Sequence, residues 1–218
     1  MKALDGFKRR ILESRVWHAL DNPAVFHAAR YALVGGQRIT RRLLAEHLAV
    51  SGDETVLDVC CGVGEFAGVV GCGYVGIDLN ERFVGQARRR YAGDPRKRFK
   101  VGNVMRLDYP AGHFDKAMIV NSLHHFSDDD VVRLLTEARR VTRRKVIVVD
   151  ADGTPLGLVR RTLIALDRGR FMRSPEGLAA LVRQVLPVER TVRFDVGLYT
   201  EILLSCPSGV AAPASMPQ

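Results

Sequence analysis

The sequence predicts an α/β fold in which a mostly parallel sheet is covered by helices on both faces. Four apolar runs are continuous rather than alternating, which is typical of strands buried on both sides: VLDV, YVGID, KAMIV and KVIVVD. Helical periodicity in ERFVGQARRRYA and DDDVVRLLTEARRV separates these runs. Strands that alternate with helices in this way indicate a doubly wound sheet.

The two ends of the chain differ from this central pattern. Residues 1–50 have helical periodicity, broken at DNP and at GG, and predict an N-terminal helical cap. Its last helix places Ile39, Leu43, Leu44 and Leu48 on one face. Residues 51–206 form the predicted central domain, with a helical insertion at about 155–186. The domain ends in two strand-like runs, VERTVRFDV and YTEILLSC, which predict an antiparallel C-terminal hairpin. Residues 207–218 have little to bury and predict a disordered tail.

Length and composition predict a soluble protein with one sizeable domain. The chain has 218 residues, of which 47% are hydrophobic and 26% charged. No apolar run approaches the roughly 18 residues that a membrane span needs, and the start MKALDGFKRR lacks the apolar core of a secretory signal. We therefore expect a cytoplasmic location, and the sequence does not indicate an oligomeric state.

The charge is strongly basic. Lys and Arg number 33 against 24 acidic residues, a formal net charge of +9 that can attract nucleic-acid phosphates or an anionic membrane surface. The arginines are dispersed over separate predicted helices, which favours a solvated surface. A functional basic face, with peripheral membrane contact or nucleic acid as partner, stays open as the alternative.

The stretch VLDVCCGVGEF, residues 56–66, concentrates chemically distinctive residues at the end of the first predicted strand. A redox or metal site on its cysteines, a nucleotide-binding turn on its glycines, and an ordinary strand with a loop are the competing hypotheses. Adjacent Cys60 and Cys61 are poorly placed for a disulfide, and the four cysteines of the chain contain no CxxC pair. No metal site is therefore predicted.

The stretch predicts the first strand, a glycine-rich turn and the start of a helix. The glycines favour a ligand site, because ligands bind at the carboxyl ends of strands in open α/β sheets. Gly62, Gly64 and Ala67 also fit the spacing of a dinucleotide fingerprint. That fingerprint expects a ribose-binding acid about 20 residues beyond the glycines, whereas Asp78 lies 14 after Gly64. Asp58 would also repel a pyrophosphate, while a cationic ligand would be attracted to it.

Four segments in order resemble the motifs of class I S-adenosylmethionine-dependent methyltransferases: VLDVCCGVG, YVGIDLN, FKVGNVMRLDYPAGHFD and KAMIVNSLHHF. The first is similar to that of quinone-biosynthesis methyltransferases, in which the usual first glycine is replaced, as Cys60 replaces it here. The resemblance implies a Rossmann-like doubly wound sheet of seven strands and S-adenosyl-L-methionine as cofactor. The chain lacks the Pro-Gly-Gly turn that commonly precedes the fifth strand, and its NSLHHF segment departs from the pattern of the quinone enzymes.

The resemblance also assigns residues to the adenosine end of the cofactor. Asp78 would accept hydrogen bonds from the ribose hydroxyls, a task that suits a carboxylate at a strand end. Asn103 would meet the adenine amino edge while Val104 packs on the ring. Leu79 would cover the adenosine from the other side.

A second group of residues is assigned to the methionine end. Gly62 and Gly64 would let the backbone approach the ligand, since they carry no Cβ atom. The backbone near Cys61 and Asn121 would hold the methionine amino group. Asp58 would favour the cationic end, directly or through a water molecule.

Two histidines are the candidate catalytic residues. Methyl transfer is an in-line displacement that depends on positioning, and a base is needed only if the acceptor keeps its proton. His125 is the first candidate and His124 the second, because both follow the fourth strand and imidazole accepts protons near neutral pH. The alternative is that a histidine only hydrogen-bonds backbone at the start of the next helix.

The acceptor is predicted to be a small hydrophobic molecule, methylated on oxygen or carbon. Apolar residues in the cap (Trp17, Phe26, Tyr31) and in Leu156 to Phe171 suit a phenolic, quinone, polyketide or lipid-like compound. The NSLH segment lacks the prolines typical of enzymes that methylate exocyclic base amines, and no Pro-Cys follows the fourth strand. An RNA methyltransferase is the main alternative, followed by a nicotinamide-dependent oxidoreductase and a non-catalytic binding protein.

Overall fold

The computed structural model describes residues 37–154, 170–197 and 199–209. These residues form one seven-stranded sheet with helices on both faces. In chain order the elements are α1 (Arg38–Leu48), β1 (Thr55–Val59), β2 (Gly73–Asp78), α2 (Glu81–Arg90), β3 (Lys97–Val101), β4 (Phe114–Val120), α3 (Asp128–Val141), β5 (Thr142–Ala151), α4 (Pro175–Arg183), β6 (Arg190–Val196) and β7 (Tyr199–Pro207).

The strand order in the sheet is β3-β2-β1-β4-β5-β7-β6. Strands β1 to β5 pair in parallel, and β7 lies antiparallel between β5 and β6. The predicted mostly parallel sheet with an antiparallel C-terminal hairpin is thus confirmed. Successive strands are added in one direction from β1 to β3 and in the other direction from β4 onward, so the strand order reverses between β1 and β4. In open α/β sheets the ligand crevice lies outside the carboxyl ends of the strands at this point.

Two apolar cores cover the faces of the sheet. On one face, Leu134 and Leu135 of α3 and Val182 of α4 pack against Leu57 and Val148. The other core is built from α1, α2 and the opposite side of the strands, including Leu44, Leu48, Val84, Met118 and Phe99. Burial on both sides explains why the central strands are continuously apolar.

Polar side chains cap the N-termini of α2 and α3. The Asn80 side chain accepts hydrogen bonds from the backbone of Arg82 and Phe83 at the start of α2. The cap of α3 is Ser127, which accepts from the Asp130 backbone, while the acidic run Asp128 to Asp130 occupies the first turn. Carboxylates in that turn complement the helix dipole.

A buried ionic network closes the opposite end of the sheet, where the parallel strands begin. Lys116 Nζ lies 2.6 Å from Glu54 Oε2 and donates to the Ala49 carbonyl at 2.9 Å. Burial opposes the ionisation of Glu54, but hydrogen bonds from Lys116 and the Ser51 backbone outweigh it and lower the Glu54 pKa. This network joins the end of α1 to the sheet away from the ligand crevice.

Three features differ from the sequence predictions. A 3₁₀ turn, Ala67–Val69, follows the glycine turn where an α-helix was expected, and β2 begins soon after it at Gly73. Ile39 is 40% exposed, although its spacing had grouped it with the buried Leu44 and Leu48. Strand β7 continues through Pro207 and Ser208 is buried, so the ordered chain extends beyond the predicted start of the tail.

Several predicted segments lie outside the described residues. These are most of the helical cap, the insertion between 155 and 169, and the tail from 210. Within the described ranges, no helix is both long and apolar enough to cross a membrane.

Candidate functional site

Two non-glycine residues with positive φ mark the carboxyl ends of the strands that border the crevice. Cys60, directly after β1, has φ 62°, and Asn121, directly after β4, has φ 51°. L-residues adopt this region at a cost of roughly 1–2 kcal/mol, and such strain concentrates at functional sites. The strain at Cys60 also explains why glycine is usual at this position in the family that the sequence resembles.

The two glycines of the turn have different surroundings. Gly62 has φ 52°, and a Cβ atom built on it would meet nothing within 4 Å. Gly64 has φ 72°, and its Cβ would lie 2.8 Å from the Phe99 ring and 3.2 Å from Ala87. Gly62 therefore leaves open space on the crevice side, whereas Gly64 is required for packing against the protein interior.

Asp78 ties three loops together at the end of β2. Its carboxylate accepts hydrogen bonds from the backbone N–H of Gly62 at 2.8 Å and of Asn80 at 2.8 Å. Its carbonyl accepts from the Gly102 backbone at 3.0 Å. A half-buried carboxylate thus stands beside the open glycine turn, where the sequence predicted a partner for ribose hydroxyls.

The other three residues predicted for adenosine lie at the same edge but differ in accessibility. Leu79 is 73% exposed, an unusual position for a large apolar side chain. Asn103 is exposed, and its side-chain oxygen accepts from the Met105 backbone at 2.9 Å. Val104 is buried in the core. Leu79 and Asn103 are therefore accessible to a ligand, while Val104 mainly holds the loop in place.

Asp58 points into the protein rather than the crevice. It is buried, and its Oδ2 accepts a 2.6 Å hydrogen bond from Tyr74 Oη. Burial raises the Asp58 pKa to about 7, and the nearby Asp78 charge adds to this rise while the Tyr74 hydrogen bond opposes it. Any attraction for a cationic ligand would therefore act through the electric field and not through direct contact.

The paired cysteines have packing roles. The Cys61 side chain fills the space left by Gly76, whose Cβ would lie 2.8 Å from the Cys61 sulfur. Its backbone N–H donates to the Ile77 carbonyl at 3.1 Å. Burial raises the pKa of both the Cys60 and the Cys61 thiol, so both stay protonated and are poor nucleophiles or metal ligands. Among the described residues, no cluster of three or more His, Cys, Asp or Glu side chains is arranged to hold a metal ion.

Asn121 is held by a buried polar network. Its backbone N–H donates to Val149 at 2.8 Å, and its Nδ2 donates to Glu201 Oε1 at 2.9 Å. Thr40 of α1 donates to the other Glu201 oxygen at 2.7 Å. The Asn121 Oδ1 atom is buried and accepts no hydrogen bond from the described residues. Such an acceptor beside the crevice fits the ammonium group of an amino acid.

The two candidate histidines lie in the 3₁₀ turn Leu123–His125 and have opposite exposures. His124 is buried, and its Nδ1 lies 2.5 Å from Asp150 Oδ1 at the end of β5. His125 is exposed, and its ring centroid lies 4.3 Å from that of His124. The structure therefore makes His125 the accessible imidazole and His124 an internal one that pairs with a carboxylate.

The segment after the insertion anchors this turn. The Phe171 backbone donates to the His124 carbonyl at 3.0 Å. Arg173 donates to the carbonyls of Leu123 and Phe126 at 3.0 and 2.8 Å. Phe171 is 41% exposed, so an apolar side chain lies next to the histidines.

Sequence reasoning missed several residues that shape the site. Tyr74, Asp150, Arg173 and Glu201 were not singled out, although each contacts a predicted residue or its turn. Two of them could have been singled out from their positions in the sequence. Asp150 ends the apolar run KVIVVD, and Glu201 interrupts the apolar run of the last strand.

Comparison with known proteins identifies the class to which this architecture belongs. Residues 56–145 match the model of a family described as a methyltransferase domain. The chain is 33% identical over 115 residues to methyltransferase GfsG of Streptomyces halstedii, covering 50% of this chain and 40% of that protein. The chain spans about half or less of the length of the curated relatives that it matches, between 39% and 52%.

Two solved structures show the same fold. The PH0226 protein of Pyrococcus horikoshii superposes with a TM-score of 0.64 at 22% identity, covering 83% of this chain and 90% of that one. Geranyl diphosphate C-methyltransferase of Streptomyces coelicolor, in complex with S-adenosyl-L-homocysteine, gives 0.64 at 15% identity, covering 79% and 80%. Residues 56–145 therefore contain a methyltransferase domain, in agreement with the resemblance to class I methyltransferases. The fold is the one that these two structures share.

Proposed function

We propose that the protein transfers the methyl group of S-adenosyl-L-methionine to a small hydrophobic acceptor. The observation that carries this proposal is the arrangement of Asp78 and the open Gly62 turn, which lie 2.8 Å apart at the switch point of the sheet. Bound there, the cofactor would supply an activated methyl group on a positively charged sulfur.

The residues around the crevice fit that cofactor. Asp78 offers carboxylate oxygens to the ribose, and exposed Leu79 gives an apolar surface for the adenosine. Gly62 leaves the space that a Cβ would occupy, and the buried Asn121 Oδ1 is an acceptor for the methionine ammonium. Exposed Asn103 can meet the adenine amino edge, and Cys61 acts through its backbone. Asp58, Gly64 and Val104 act indirectly.

A small acceptor is supported by the surroundings of the histidines. Exposed Phe171 lies beside the turn that carries His125, so an apolar molecule can approach an accessible imidazole. A structural neighbour named geranyl diphosphate C-methyltransferase was solved in complex with geranyl diphosphate, a small molecule. The phenolic, quinone, polyketide and lipid-like classes are the acceptors that these features favour.

A dinucleotide is disfavoured as the ligand. Pyrophosphates bind at the N-terminus of the helix that follows a glycine turn, where backbone N–H groups and the helix dipole attract them. In the described chain a three-residue 3₁₀ turn stands in that place, so this binding element is missing. An RNA acceptor is supported only by the net charge of +9.

Calorimetry with S-adenosyl-L-homocysteine and with NADH tests the cofactor assignment. We expect the former to bind and Asp78→Ala to weaken its binding at least tenfold, because the substitution removes the ribose partner and a support of the Gly62 turn. Asp94→Ala is the matched control, since Asp94 pairs with Arg96 and not with the crevice. Binding of NADH without S-adenosyl-L-homocysteine would overturn the proposal.

A further inference from the structure

The carboxylate of Asp150 is built into the end of the sheet beside the histidines. Asp150 is buried, and its Oδ1 accepts hydrogen bonds from His124 Nδ1 at 2.5 Å and from the Ala151 backbone at 2.9 Å. Both side chains of the His124–Asp150 pair are 3% exposed or less. A buried carboxylate is costly unless it has such partners, so its position next to a candidate catalytic residue calls for a role.

The hydrogen bond determines which nitrogen of His124 carries a proton. An ionised carboxylate can only accept, so His124 Nδ1 must donate and therefore bears hydrogen. The partner of one ring nitrogen sets the state of the other and fixes the orientation of the ring. His124 is consequently held in one orientation, and the exposed His125 ring packs on it with centroids 4.3 Å apart.

We propose that Asp150 is a positioning residue that acts through His124 to orient His125 for accepting a proton from a hydroxyl acceptor. This inference rests on the proposed methyltransferase function and narrows its acceptor class to phenolic or enolic hydroxyls. A base is useful in methyl transfer only when the reacting atom keeps its proton, and among the acceptors that we propose the hydroxyls do so.

The step balances without a further reactant. The acceptor O–H bond breaks and its proton passes to the imidazole of His125. An oxygen lone pair forms the new bond to the methyl carbon, while the bond from carbon to sulfur breaks and its electron pair stays on sulfur. The products are a methyl ether, a neutral thioether and an imidazolium.

Proton states of the histidines can be measured without an acceptor. Long-range ¹H–¹⁵N correlation spectra of the full chain distinguish the two tautomers, with His124→Gln and His125→Gln used for assignment. We expect a proton on Nδ1 of His124 in the wild type and a mixture of states in Asp150→Asn. The control is Asp152→Asn, because Asp152 is buried nearby but bonds Arg193 and the Thr154 backbone. The same tautomer of His124 in the wild type, Asp150→Asn and Asp152→Asn would overturn the proposal.

Activity on hydroxyl probes provides the second readout. With a panel of simple phenols, including catechol and 2-naphthol, we expect Asp150→Asn to lower kcat at least tenfold with little change in KM, and Asp150→Glu to restore part of it. An unchanged kcat in Asp150→Asn would contradict the positioning role. Absence of transfer to every phenol by a protein that still binds S-adenosyl-L-homocysteine would overturn the hydroxyl assignment. Failure to bind that molecule would instead overturn the proposed function.

Discussion

Tyr74 and Asp58, on adjacent strands β2 and β1, form a buried hydrogen bond of 2.6 Å beneath the glycine turn. Because burial removes Asp58 from water, its pKa rises to about 7. The sequence suggested that Asp58 would favour a cationic ligand directly or through a water molecule, whereas the structure makes it an internal group whose pKa is near neutral.

This titration predicts a pH dependence of stability. The Asp58 pKa is about 7 in the folded protein, above its ordinary value of 3.8, so the folded state binds more protons between these two pH values. Protonation of Asp58 therefore stabilises the folded protein. This stabilisation is fully present below about pH 4 and is lost as the pH rises to about 7. From pH 5 to pH 8, we expect the free energy of unfolding of the wild type to fall by about 3 kcal/mol relative to that of Asp58→Asn, which lacks the titrating group.

Urea denaturation of both proteins at the two pH values measures this difference. Glu54 and Asp115 have lowered pKa values and act in the opposite direction, but they are common to both proteins and cancel. The same change in the free energy of unfolding between the two pH values in wild type and Asp58→Asn would show that Asp58 does not titrate in this range.

Alanine at the two glycines of the turn should separate strain from packing. Gly64→Ala combines positive φ with a clash against the Phe99 ring, and we expect it to lower the free energy of unfolding by about 3 kcal/mol. Gly62→Ala adds strain alone, about 1 kcal/mol, but should weaken binding of S-adenosyl-L-homocysteine more strongly. Denaturation and calorimetry measure the two effects. Partial recovery of stability in Gly64→Ala with Phe99→Leu would identify the clash, and no recovery would speak against it.

Substitution of Cys60 should reveal the positive φ after β1. Glycine adopts φ 62° without strain, so we expect Cys60→Gly to stay within about 1 kcal/mol of the wild type despite the lost side chain. A β-branched residue is disfavoured there, and Cys60→Val should lose about 2 kcal/mol. Thermal denaturation ranks the two variants, and a more stable valine variant would show that side-chain packing outweighs backbone conformation.

Lys116 should matter for stability but not for the ligand. Lys116→Met leaves Glu54 with one ion-pair partner fewer in a buried setting, and we expect a loss of about 3 kcal/mol. Binding of S-adenosyl-L-homocysteine should change less than twofold, because the network lies at the opposite end of the strands. Lys145→Met is the control, since its Nζ contacts only the His47 carbonyl among the described residues. Equal losses in both variants would show that the Glu54 pair is unimportant.

The sheet and its ligand crevice could be predicted because their signals are local. Apolar runs locate the strands, and residues that follow a strand directly, such as Asp78, must lie at its carboxyl end. The connection after Gly64 was predicted wrongly, since glycines before a short apolar stretch occur with an α-helix or a 3₁₀ turn alike.

The pairings between distant residues could not be predicted. His124 meets Asp150 because β4 and β5 are neighbours in the sheet, and Asn121 meets Glu201 because β7 inserts beside β5. These contacts depend on strand order and register, which hydrophobic periodicity does not encode. The ranking of His125 above His124 stays a prediction, with exposure in its favour.

In the proposed site, Asp78 would both recognise the cofactor and support the loops that bind it. The same carboxylate holds the backbone of Gly62 and Asn80, and its residue receives the Gly102 N–H. Ligand specificity at this edge could then not be altered by changing one contact alone. Substitution of Asp78 would also remove the hydrogen bonds that hold the loops of the proposed site. An engineered change of cofactor would require redesign of the three loops together with the residue that is proposed to bind the ligand.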